Sequence, residues 1–91
     1  MKEITILRGG KHIKKEIFWL IFDIGAPLME DAPEYKAVSP REALDRYMVD
    51  KNIIGRVKRS RADDSRFGVS PFFYDEGRRY RAGNRQWYSL L

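Results

Sequence analysis

Short apolar runs, broken by glycine and by charged residues, follow one another along the first part of the chain. Ile4 to Leu7 and a second stretch that starts at His12 flank Gly9 and Gly10. A pair of glycines between two such runs predicts a tight hairpin, because the favoured hairpin turns need positive φ angles that glycine adopts without a Cβ clash. We therefore predict two antiparallel strands joined at the two glycines.

The second stretch continues into a dense apolar segment, residues 17–24, that ends at Gly25 and Pro27. Isoleucine and aromatic residues favour a strand, although the same positions also recur at helical spacing, so a helix is the competing interpretation for residues 12–24. A strand would carry two apolar faces: Phe18, Leu20, Phe22 and Ile24 on one, and Ile17, Trp19 and Ile21 on the other. One helix covers only one face, so the second must meet another part of the chain, a second copy or a partner.

The clearest local pattern is Ser39-Pro40-Arg41-Glu42, which follows a short predicted strand at residues 35–38. Ser39 can cap a helix, Pro40 suits its first position, and Glu42 completes a capping box. The apolar residues that follow recur at helical spacing and form an inward stripe, namely Ala43, Leu44, Tyr47 and Met48. We predict a helix over about residues 40–50 that stops near Asn52.

The rest of the chain is typical of strands and turns. Residues 53–59, 67–74 and 86–91 predict strands, with a polar loop at 60–65 and a turn at Asp75-Glu76-Gly77. Pro71 interrupts the middle strand, and since proline lacks a ladder N–H we expect an edge position or a bulge there. The order ββ-β-α-βββ predicts one α+β domain over residues 1–91, a mostly antiparallel sheet of about five or six strands with the helix on one face.

Composition narrows the chemistry. The chain has 91 residues, no cysteine and a single histidine, His12. These numbers exclude disulfides, thiolate nucleophiles and cysteine-ligated metal, and no catalytic arrangement or cofactor site follows from the spacing of the rest. We therefore predict a non-enzymatic protein without a cofactor, with a small ribonuclease-like activity as the residual alternative. The longest apolar run is far shorter than the roughly 20 residues of a membrane helix, so we expect a soluble, cytoplasmic protein without a membrane partner.

The charge is distributed unevenly between the two halves of the chain. Residues 1–51 hold nine basic and nine acidic residues and are neutral, whereas residues 52–91 hold nine basic and four acidic residues, 9 − 4 = +5. Eight of those nine cations are arginine, the residue that binds phosphate or carboxylate through two hydrogen bonds and stacks on flat rings. A basic, arginine-rich half predicts a surface for an anionic partner.

Nucleic acid is the first hypothesis for that partner, with RNA or single strands considered as readily as duplex DNA. Within the segment 78–81 we expect Arg78 and Tyr80 to share a strand face with aromatics such as Tyr74 or Trp87, which would combine phosphate contacts with base stacking. The candidate binding residues are Arg56, Lys58, Arg59, Arg61, Arg78, Arg79, Tyr80, Arg81 and Arg85.

Protein recognition is the alternative, because arginine, tryptophan and tyrosine are also enriched at protein interfaces. An adaptor, an inhibitor or a homodimer would use the apolar strand around Trp19 and Ile21 and the loop residues Leu28 and Met29. An acidic partner protein would explain the charge distribution as well as nucleic acid does.

Overall fold

The computed structural model of the protein describes residues 2–26 and 32–91, and its elements confirm the α+β class. A short 3-10 turn, Ala62–Asp64, lies before the longest strand. In this described part no helix has the length and apolar character needed to cross a membrane. The strands and the helix are β1 (Glu3–Arg8), β2 (Lys11–Glu16), β3 (Phe18–Asp23), β4 (Glu34–Lys36), α1 (Pro40–Asp50), β5 (Val57–Arg59), β6 (Phe67–Asp75), β7 (Arg78–Arg81) and β8 (Gln86–Leu90).

The N-terminal hairpin forms where the glycine pair predicted it. β1 pairs antiparallel with β2, and Arg8 lies opposite Lys11 across a two-residue turn. Gly9 and Gly10 have φ angles of 58° and 78°, as the favoured hairpin turn requires. The stretch from His12 to Asp23 is extended rather than helical, and it forms two strands because the ladder breaks at Ile17. Ile24 begins the turn that follows. β2 stays with β1 in a separate two-stranded sheet, and β3 enters the main sheet.

The main sheet has the order β4-β3-β6-β8-β5, and β7 pairs with β6 beside β8. β6 is therefore central, and the expected edge position or bulge at Pro71 is wrong. β8 pairs with Phe67 to Val69 and β7 pairs with Phe72 to Asp75, so Pro71 lies at the gap between them. The Pro71 carbonyl accepts a hydrogen bond from the Ala82 N–H at 3.0 Å. Since the amide and carbonyl of a strand residue point to the same side, the missing N–H faces this gap, where no strand needs it.

Both ends of the predicted helix are confirmed. The Ser39 hydroxyl accepts the Glu42 backbone N–H at 3.1 Å, and the Glu42 carboxylate accepts the Val38 N–H at 3.2 Å. The first bond satisfies an amide that a helix N-terminus leaves unpaired, and the second ties the Glu42 side chain to the residue before the cap. At the other end Asn52 adopts a φ of 56°, and the Ile53 N–H donates to the Met48 carbonyl at 2.8 Å, which completes a left-handed helix stop.

The core lies between the helix and one face of the sheet, which we call the inner face. Leu44 of the helix packs there against Trp19 and Ile21, which are 2% and 1% exposed. The Trp19 indole N–H donates to the buried Ala37 carbonyl at 2.9 Å. The expectation that Trp19 and Ile21 form a docking surface is therefore wrong, because both are used by the core. The other two residues of that surface, Leu28 and Met29, lie outside the described residues.

Candidate nucleic-acid interface

We call the opposite face of the main sheet the open face, because neither the helix nor the N-terminal hairpin packs on it. The helix lies on the inner face, and so does the N-terminal hairpin, whose Lys15 ammonium lies 3.1 Å from the Asp75 carboxylate at the inner-face end of β6. The second apolar side of β3 therefore meets neither layer. Strand register places these residues on the open face: Phe18, Leu20, Phe22, Gly68, Ser70, Phe72, Tyr74, Arg79, Arg81 and Trp87.

A groove of about 530 Å³ crosses this face at the gap between β7 and β8. We call it the open-face groove. Leu20, Ser70 and Phe72 form part of its lining, and the segment after β7 adds Asn84. A volume in this range is typical of ligand sites. The groove also brings cations and flat rings together: Arg79, Arg81 and Arg85 with Phe22 and Trp87.

Arg85 is held above an aromatic surface in this groove. Its guanidinium carbon lies 4.1 Å from the centre of the Phe22 ring and 5.3 Å from the Trp87 ring, within the range of cation–π attraction. Its Nε donates to the Ser70 hydroxyl at 2.8 Å. Gly68 lies between the two rings in the sheet, and a Cβ there would come within 2.8 Å of the Arg85 Cδ. The glycine therefore leaves the space that lets Arg85 lie against the sheet.

Sequence reasoning missed Phe22, Gly68 and Ser70 as members of the site. A glycine in the interior of a strand often marks the close approach of another group, and Gly68 was the available signal. Phe22 belongs to one of the two apolar faces predicted for the strand, and one of those faces needs cover other than the helix. In the structure the Arg85 side chain covers Phe22.

Arg79 and Arg81 leave more of their charge accessible to solvent. The Arg79 guanidinium lies 5.5 Å above the Phe72 ring and 3.7 Å from the Glu34 carboxylate, and its side chain is 53% exposed. Arg81 donates from Nε to the Gly83 carbonyl at 2.9 Å. Tyr74 donates its hydroxyl to Glu34, and this hydrogen bond raises the pKa of Tyr74. Glu34 is thus the acidic group next to Arg79.

Arg78 and Tyr80 lie on the other side of β7. Tyr80 is opposite Phe73 and stacks on it with 5.6 Å between ring centres, whereas Tyr74 is opposite Arg79. The expectation that Arg78 and Tyr80 share a face with Tyr74 or Trp87 is therefore wrong. Alternation along β7 separates Arg78 and Tyr80 from Arg79 and Arg81. The register across the Glu76-Gly77 turn decides which of these two pairs faces the open-face groove.

The remaining predicted residues are dispersed. Arg59 lies on the inner face, where its guanidinium is 5.8 Å from the Tyr88 ring and its Nη1 donates to the Gln86 side-chain oxygen at 3.0 Å. Lys58 points to the open face from β5, opposite Ser89. Arg56 and Arg61 are exposed in the segments that flank β5. Of the nine candidates the groove therefore brings together Arg79, Arg81 and Arg85.

One further arginine of the basic half has a structural role. Arg66 donates to the Asp23 carboxylate at 3.0 Å, and the Tyr47 hydroxyl donates to its second oxygen at 2.8 Å. Burial alone would raise the pKa of Asp23. The two side-chain hydrogen bonds, a third hydrogen bond from the Gly25 amide, and the charge of Arg66 together lower this pKa. The pair ties the end of β3 to the start of β6 and does not contribute to the groove.

Among residues 2–26 and 32–91, no cluster of three or more histidine, aspartate or glutamate side chains is arranged to hold a metal ion. We find no match for the chain among protein-family models, curated proteins or solved structures. The functional assignment therefore depends on the groove itself.

Proposed function

We propose that the protein binds single-stranded nucleic acid in the open-face groove. The observation that carries this proposal is the convergence of Arg79, Arg81 and Arg85 with Phe22 and Trp87 around one groove. Guanidinium groups bind phosphate oxygens through paired hydrogen bonds. Aromatic rings and guanidinium planes also supply surfaces on which unpaired bases stack.

The three arginines would have two roles. Arg79 and Arg81 stand on neighbouring positions of the same strand face and keep exposed donors, which suits contacts with successive phosphates. Arg85 is fixed by Ser70 and lies over Phe22, so its outer face and the adjacent Trp87 ring would form the stacking surface. Stacking needs a base whose flat face is accessible, and a duplex hides that face, so single strands are favoured. RNA and DNA strands share these features, and we expect both to bind.

A titration of a fluorescently labelled decanucleotide, followed by anisotropy at low salt, tests the proposal. The double variant Arg79→Ala/Arg81→Ala should bind about tenfold more weakly, as two exposed charge contacts of roughly 0.7 kcal/mol each would give. The matched control is Arg56→Ala/Arg78→Ala, which removes the same charge outside the groove. Thermal melting monitored by circular dichroism should show both variants folded.

Two results would contradict the proposal. One is that the wild-type protein does not bind single strands at low salt, and the other is that the control weakens binding as much as the groove variant. If single strands fail to bind while a glutamate-rich peptide binds and competes with inorganic polyphosphate, the groove is instead a surface for an acidic protein.

A further inference from the structure

A second cavity lies behind the gap between β7 and β8, on the inner face. Its volume is about 520 Å³, and it lies between the N-terminal hairpin, β3 and the segment that leads into β8. We call it the inner-face cavity. Lys2 and Arg59 are its cations against Glu3, so its net charge is 2 − 1 = +1; Arg85 also forms part of its lining, but the Arg85 guanidinium lies over Phe22 on the open face.

The inner-face cavity and the open-face groove lie on either side of the segment that leads into β8. Pro71, Asn84 and Arg85 line both of them. Since Pro71 has no N–H and its strand partners end on either side of it, the sheet is interrupted where the two spaces adjoin. A flexible anionic chain in the groove thus has a second basic space next to it along the gap.

The side chains of the inner-face cavity suit phosphate rather than a base. Trp19 forms part of its lining, but the ring is 2% exposed and the Lys2 ammonium lies 5.6 Å above it. A base therefore has no free ring to stack on. Arg59 uses Nη1 for Gln86, which leaves other donors of its five-donor guanidinium for an anion.

We infer that a strand bound in the open-face groove continues past the gap and places a backbone phosphate against Lys2 and Arg59. The inference rests on the proposed function and extends it, because it predicts a site that takes more nucleotides than the groove alone. Single-strand sites in small domains span about 4–16 nucleotides. A tetranucleotide would occupy the groove, and a decanucleotide would also reach the inner-face cavity.

Strand length separates the two sites experimentally. Lys2→Ala/Arg59→Gln should weaken binding of a labelled decanucleotide about tenfold and leave the affinity for a tetranucleotide unchanged. Glutamine at position 59 keeps a hydrogen-bonding group beside Gln86, and thermal melting checks the fold. Lys14→Ala/Arg56→Gln is the matched control, since both residues are exposed and neither lines the cavity.

Each result has a separate meaning. If the wild-type protein binds both lengths and the Lys2/Arg59 variant binds the decanucleotide as tightly as the control does, the inference is overturned while the proposed function stands. Equal weakening for both lengths also overturns it, because the cavity would not be a separate subsite. If the wild-type protein binds neither length, the proposed function fails and this inference fails with it.

Discussion

The salt dependence of binding gives the sharpest test of how many arginines contact the strand. Each phosphate neutralised by a cation releases counterions, and for single strands the slope of log affinity against log salt is about −0.7 per contact. Arg79 and Arg81 are the two proposed phosphate contacts in the open-face groove, so a tetranucleotide should show a slope of about −1.4. Raising the salt concentration from about 50 to 200 mM should then weaken binding about 7-fold.

Removal of Arg79 and Arg81 together should bring that slope close to zero, because Arg85 then offers a stacking surface and no phosphate contact remains. The same change in salt would then leave the affinity almost unchanged. Arg78→Ala is the control from the same strand, since Arg78 lies on the opposite side of β7. Anisotropy titrations at three or more salt concentrations measure each slope.

The control decides whether the face of β7 matters. If Arg78→Ala lowers the slope as much as removal of one groove arginine does, nucleic-acid binding depends on the total charge of the protein and not on the groove. That result would refute the assignment of the open face. A wild-type slope near zero would refute the phosphate contacts altogether.

Three other predictions concern Trp87, Gly68 and Asp23. Trp87 should lose fluorescence on addition of a single strand, and Trp87→Phe should abolish that change, because the chain's other tryptophan is buried in the core. Gly68→Ala should weaken binding several-fold, as its Cβ would lie 2.8 Å from the Arg85 Cδ and 2.9 Å from the Trp87 ring and would displace both side chains; unchanged affinity would argue against a role for this pair. Because the folded-state pKa of Asp23 is lowered, its stabilisation is present above the unfolded pKa of about 4 and is lost as pH falls through the folded-state pKa. Asp23→Asn should therefore cost about 2 kcal/mol at pH 7 in urea unfolding, below the range for fully buried pairs since Arg66 is 35% exposed, and progressively less as the pH is lowered below about 4.

The helix could be predicted to the residue because its signals are local. Ser39, Glu42 and Asn52 act within one turn of their own positions, so no distant partner is needed to make them start or stop the helix. The two apolar sides of β3 also followed from alternation alone. Alternation did not indicate which side of β3 the helix would cover, because that depends on how the connections to β4 and β6 place the helix relative to the sheet.

The position of Pro71 shows why topology limits sequence reasoning. A proline inside a strand argues for an edge, since its missing N–H breaks a ladder. β6 avoids this conflict by exchanging one neighbour for another at that residue, with β8 before it and β7 after it. This arrangement requires β7 and β8 to pair with the same side of β6, and no sequence pattern near Pro71 indicates it. Pro71 then forms part of the lining of both the open-face groove and the inner-face cavity.

The charge distribution also changes meaning once the fold is known. The neutral first half contains a basic part, residues 2–16 with five basic and two acidic residues, 5 − 2 = +3, and an acidic part, residues 17–51 with four basic and seven acidic residues, 4 − 7 = −3. The basic part is the hairpin, whose Lys2 shares the inner-face cavity with Arg59 and Arg85. Positive charge from both ends of the chain therefore meets at one gap in the sheet. A nucleic-acid strand attracted by that charge would follow the gap and avoid the helix, whose residues 40–50 hold two basic and three acidic residues, 2 − 3 = −1.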